Sequence, residues 1–165
     1  MVIPRTGRRG PLVAVCGAGA CDREEAALAR ETGRLLAERG AVLLCGGLGG
    51  VMAEAARGAG EVGGLTVGFL PGDRAGEANP FIDLPLATGL GHARNAVLVR
   101  AAEAVIALPG GPGTLSEVAL GLKMGRPVVG LKAWREVPGV TYALSPAEAV
   151  ERALALAVIG HAART

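Results

Sequence analysis

Pro109-Gly110-Gly111-Pro112-Gly113-Thr114-Leu115-Ser116-Glu117 decides how this chain reads. The apolar run Ala104-Val105-Ile106-Ala107-Leu108 precedes it and predicts a buried strand. Leu115, Val118, Ala119 and Leu122 recur at helical spacing and predict the helix that follows. The stretch is therefore a strand, a glycine turn and a helix start. Glycine lets the backbone approach a ligand closely. The first amides of a helix have no partner inside it, and the helix dipole there favours an anion. Phosphate fits such a place. Thr114 offers a hydroxyl donor, and Glu117 stands about one turn in. The plainer reading is a tight turn with a capping Thr. Three glycines, a Thr and a Glu at one strand end favour the ligand site.

Working outward, the chain alternates short apolar runs with helical periodicity. Strands are expected at Leu12–Cys16, Ala41–Leu44, Leu65–Leu70, Phe81–Ala87, Ala104–Leu108 and Pro127–Leu131. The segment Trp134–Tyr142 is irregular and includes at most a short edge strand. Asp22 with Glu25 forms a capping box that opens a helix, which Gly40 ends. Further helices are expected over Val51–Gly60, Ala93–Ala102, residues 113–124 and, from Pro146, to about Ile159. This pattern predicts an α/β chain, a Rossmann-like three-layer α/β/α domain with a mostly parallel sheet of about six or seven strands. One domain is expected over residues 1–165, with residues 1–10 and 160–165 as flexible ends. Right-handed crossovers bring the loops at 17–20, 46–50, 71–80, 88–92 and 109–113 to one sheet edge. Ligands bind such sheets where the strand order reverses. The 71–80 loop is placed to fold over a ligand there.

Composition narrows the function. The 165 residues are 50% apolar but only 2% aromatic, so the core is Ala, Val and Leu. A net charge of +2 is too small to point to nucleic acid. No apolar run approaches the roughly 20 residues of a membrane helix. The apolar centre after Arg8-Arg9 is shorter than a signal peptide needs, and a first buried strand explains it better. A cytoplasmic protein is expected. Cys16, Cys21 and Cys45 lack metal-ligand spacing, so no metal site is expected, and the thiols read as small apolar fillers.

The first glycine loop, Gly17 and Gly19, lacks the rest of the dinucleotide fingerprint, and no lysine-containing phosphate loop is present. A nucleoside monophosphate or a phosphorylated pterin needs a smaller cradle and fits better. Arg94 can fork two donors onto phosphate; a cation at a helix start is otherwise disfavoured by the dipole. Asn95 either bonds a base or ribose or caps the helix. Glu117 activates water, holds a ribose hydroxyl or merely suits the dipole. His92 either contacts the ligand or caps and faces solvent. Met52 reads as core. Lys123 and Lys132, the only lysines, lack a pyridoxal motif around them, which argues against a decarboxylase.

Cys45-Gly46-Gly47-Leu48-Gly49-Gly50-Val51-Met52, then Arg94-Asn95, then the 109–117 motif resemble the lonely-guy (LOG) superfamily, from Leu12 to about Leu156. With Gly63-Gly64-Leu65-Thr66-Val67-Gly68, the chain looks most similar to its molybdenum cofactor carrier-like branch. The resemblance implies a Rossmann-like fold and a homodimer or higher assembly. It also implies a phosphate site at Gly110, Gly111, Gly113 and Thr114, with Gly17, Gly19, Gly46, Gly47, Gly49, Gly50 and Asn95 around the nucleotide. LOG enzymes cleave the N-glycosidic bond of nucleoside 5′-monophosphates, and their catalytic Arg and Glu fall on Arg94 and Glu117. They follow that Arg with Lys; Asn95 stands here instead, as in carrier-like relatives. Two expectations follow: a phosphoribohydrolase, or a non-catalytic molybdenum cofactor carrier. No cofactor is required in either case, and the bound species would be a nucleoside monophosphate or molybdenum cofactor.

Overall fold

A computed structural model describes residues 10–133 and 137–162, with side chains described to residue 159. Of the expected flexible ends, residues 1–10 and 160–165, residues 1–9 and 163–165 lie outside the described residues, as does the start of the Trp134–Tyr142 segment, whereas residues 160–162 continue the last helix. Seven strands form one sheet: β1 (Leu12–Cys16), β2 (Val42–Cys45), β3 (Thr66–Leu70), β4 (Leu84–Ala87), β5 (Ala104–Ala107), β6 (Val128–Leu131) and β7 (Thr141–Ala143). Their order is β4-β3-β2-β1-β5-β6-β7, and every pairing is parallel. Five helices, α1 (Arg23–Glu38), α2 (Val51–Glu61), α3 (Arg94–Ala101), α4 (Pro112–Lys123) and α5 (Pro146–Ala162), cover the two faces.

Alternation along the central strands makes the two cores. Val13 and Val15 of β1 and Ile106 of β5 turn to one face, packing with Ala29 and Leu36 of α1, Ala55 and Ala59 of α2 and Ala153 of α5. Ala14, Cys16 and Val105 turn to the other, against Leu98 and Val99 of α3 and Val118 of α4. Both faces are buried, so these strands read as continuous apolar runs rather than alternating ones.

The capping box at Asp22 is present in both directions. The Glu25 amide donates to Asp22 at 2.8 Å and the Asp22 amide to Glu25 at 3.1 Å. Several elements begin later than the apolar pattern suggests, most of them by one residue. The strand expected from Phe81 starts at Leu84, because polar side chains take its first hydrogen bonds. Asn79 Oδ1 accepts from the Phe81 amide at 3.0 Å, and the Asp83 carboxylate accepts from the Thr66 amide at 2.9 Å. The helix expected from Ala93 starts at Arg94, after a 3-10 turn over Gly91–Ala93.

The order reverses between β1 and β5, which each have β-neighbours drawn from opposite halves of the chain. Strand ends part there, because the chain leaves β1 toward one face and β5 toward the other.

Candidate functional site

A cleft of about 500 Å³ opens at this reversal. All five loops expected at the edge contribute: Gly17, Ala18 and Gly19; Leu48; Pro71; Gly91 and His92; Gly111, Pro112 and Gly113. Arg94, Asn95, Thr114, Glu117 and Met52 complete the wall. The longer loop folds away rather than over the cleft. Only Pro71 reaches it, and Asn79 pins the loop to the second glycine turn. The Asn79 side chain donates to the Leu48 carbonyl at 2.8 Å and its amide to Gly47 at 2.9 Å.

Helix α4 starts at the cleft with Pro112 in its first turn, where a missing N–H costs nothing. Gly111 is its N-cap and no side chain caps it. The reading of Thr114 as a cap is therefore replaced: Thr114 is 4% exposed and lies against Gly110. Its hydroxyl has no hydrogen-bond partner among the described residues. The first amides of α4 also lack an internal partner, so the helix offers donors and the positive end of its dipole to the cleft.

The glycines divide into two groups. Gly17, Gly19, Gly111 and Gly113 line the cleft, whereas Gly46, Gly47, Gly49, Gly50 and Gly110 stand behind the lining. Gly46 has a specific reason to lack a side chain. A Cβ there would lie 2.7 Å from Arg94 Nη1 and 2.7 Å from Met52 Sδ. The two terminal nitrogens of the guanidinium thus fill the space that a side chain at Gly46 would need. Gly50 has φ +61°, and a Cβ on it would strike the backbone of the first glycine turn.

Arg94, Asn95, Thr114 and Glu117 account for four of the six buried polar or charged residues described. Arg94 is 9% exposed; its Nη1 donates to Asn95 Oδ1, and its Nε has no partner. Burial lowers its pKa from the usual guanidinium value, against the attraction of Glu117. Arg94 and Glu117 form no ion pair. Burial pushes the Glu117 carboxyl up to about 7, against the pull of Arg94 and the Cys16 thiol. At neutral pH this carboxyl is about half protonated, the range useful to a proton donor or acceptor.

Asn95 does not reach for a ligand with its whole amide. An arginine only donates, so the Asn95 oxygen must face Arg94. Its nitrogen donates to Ser116 Oγ at 3.1 Å, and Ser116 Oγ donates to the Gly113 carbonyl at 2.6 Å. Ser116 escapes sequence reasoning, since a Ser near a helix start usually bonds only locally. Met52, read as core from sequence, packs against the core and also lines the cleft. Cys16 and Cys45 lie beneath the first and second glycine turns on opposite faces of the sheet, both free. Burial raises both thiols, Cys45 to about 11, so neither is a thiolate nucleophile at neutral pH.

Residues 11–157 match the SLOG cluster4 family. An uncharacterized protein of Archaeoglobus fulgidus is 43% identical over 146 residues, 88% of this chain and 96% of that one. The molybdenum cofactor binding protein of Rippkaea orientalis superposes with a TM-score of 0.83 at 36% identity, covering 93% of this chain and 99% of that chain. The Moco carrier protein of Chlamydomonas reinhardtii does so with a TM-score of 0.83 at 36% identity, over 92% and 99%. By the family match and by identity over most of its length, this chain belongs to the SLOG cluster4 family.

Proposed function

We propose that this protein binds a small phosphorylated ligand without altering it, as a carrier of molybdenum cofactor or a similar phosphorylated pterin. One observation carries the reading. A buried guanidinium with an unsatisfied Nε stands beside the uncapped start of α4, in a cleft at the reversal of strand order. A buried, incompletely satisfied cation is costly unless an anion completes it. The carrier and binding proteins that match over nearly their whole length favour the pterin as the organic half. In this reading Gly17, Gly19, Gly111, Gly113 and Thr114 hold the phosphate, with Gly110 behind them. Gly46, Gly47, Gly49 and Gly50 shape the wall that seats Arg94. Mass spectrometry of copurified small molecules, then calorimetry with molybdopterin, tests it. Recovery of intact pterin supports the carrier, and absence of binding removes it.

Glu117 supports a second reading. A half-protonated buried carboxyl facing the cleft suits acid–base assistance, with Arg94 on the phosphate, in N-glycosidic cleavage of a nucleoside 5′-monophosphate. Incubation with AMP decides between them. Base released by the wild type and lost in Glu117→Ala establishes the hydrolase; AMP recovered intact leaves the carrier.

The working unit in this proposal is a homodimer or higher assembly. Leu84 and Leu86 of β4, Val97 of α3 and Leu115 of α4 are exposed apolar side chains that a second copy would cover. Free cysteines suit a reducing compartment, and we place the protein in the cytoplasm. Among the described residues no helix is long and apolar enough to cross a membrane.

A further inference from the structure

A guanidinium and a carboxyl share the cleft wall without joining. Arg94 and Glu117 are both more than nine-tenths buried, and buried charges ordinarily pair. Yet the guanidinium spends Nη1 on a neutral amide and leaves Nε empty. The bonds that hold it there run in one direction: Arg94 donates to Asn95, Asn95 to Ser116, and Ser116 to the Gly113 carbonyl in the first turn of α4. Donors aligned this way polarise one another and strengthen the series. The far end is anchored on helix backbone, which cannot follow the guanidinium if it swings. Gly46, by lacking a side chain, leaves room for the two terminal nitrogens of the guanidinium.

We propose that Asn95 and Ser116 are positioning residues that hold Arg94 away from Glu117, so that the guanidinium stays open to an anionic ligand. This inference rests on the anion-site reading above and adds what keeps that site from neutralising itself. Asn suits the position because it accepts from an arginine and donates to a serine at once. A lysine there has no acceptor and could not anchor Arg94. Without the series, a change of Arg94 rotamer closes the gap, and the two buried charges satisfy each other. Glu117 is faced by Arg94 from α3, by Cys16 at the end of β1 and by Cys45 at the end of β2. Of these, only Arg94 is a cation that can move onto it.

The test follows the Glu117 carboxyl directly, by carbon-13 NMR titration of the full chain, with Glu117→Gln identifying the resonance. Ser116→Ala and Asn95→Ala are expected to move its midpoint down from about 7 toward the ordinary carboxylate range. Ser116→Thr, which keeps the hydroxyl, should leave it in place. Sulfate, a dianion that does not itself titrate near neutrality, should bind each alanine variant about tenfold or more weakly than wild type by calorimetry. A Glu117 midpoint unmoved in both alanine variants overturns the proposal, as does unchanged sulfate affinity. Sulfate binding by none of the proteins overturns the anion-site reading instead, while the carboxyl titration still decides whether Asn95 and Ser116 hold the charges apart. Ser116 is half-buried and accepts loss of its hydroxyl without a large cavity, so its variant folds even if that of Asn95 does not.

Discussion

Replacing Glu117 by Gln should make the protein more stable, and only at high pH. The side chain is 7% exposed, and its folded pKa of about 7 stands against an ordinary value of 4.5. Below about pH 4.5 both folded and unfolded carboxyls hold their proton, and wild type and variant are equivalent. As the pH rises from there, the unfolded carboxyl ionises while the folded one does not, so stability falls. The loss is complete above about pH 7. At about 1.4 kcal/mol per pKa unit it amounts to about 3 kcal/mol. For a chain of this length that corresponds to roughly 6–12 °C in Tm. The assay is thermal unfolding of both proteins from pH 4.5 to 8.5 in buffers free of phosphate and sulfate. All other titrating groups are common to the two proteins and cancel in the difference. The gap should be near zero at the acid end and open through pH 5–7 in favour of Glu117→Gln. A gap independent of pH would show that Glu117 is not held proton-rich by burial, and the electrostatic account of the cleft would fall.

Arg94→Ala should lower sulfate and AMP affinity by about ten- to a hundredfold, the worth of hydrogen bonds to a charged partner, measured by calorimetry. Gly46→Ala should do nearly as much without touching a ligand, because the new methyl displaces the guanidinium; an unchanged dissociation constant with native circular dichroism would refute the seat. Sulfate should raise the Tm of wild type more at pH 6 than at pH 8.5, since an ionised Glu117 repels the dianion; Glu117→Gln should lose this difference. Leu86→Glu combined with Val97→Glu should reduce the mass measured by light scattering if these exposed side chains form the subunit contact. Asp22→Ala should cost about 1 kcal/mol in urea unfolding, through loss of the cap of α1.

Local pattern alone specifies the layered architecture and the sheet edge that carries the cleft. Periodicity separates the strands from the helices, and the capping box at Asp22–Glu25 and Pro112 mark helix starts, because these signals act over a few residues. That the glycine turns, Arg94 and Glu117 gather on one edge was legible because right-handed crossovers bring every strand-end loop to the same side of the sheet. Tertiary structure alone decided how those residues face one another. Which glycines line the cleft and which stand behind it depends on how two turns from β1 and β2 meet. The link from Arg94 to Ser116 spans 22 positions and two helices, and no local pattern encodes it. The raised pKa of Glu117 has the same origin: the residue stands past the first turn of α4, and only the packing of α3, α4 and β1 around it removes the solvent that would ionise it.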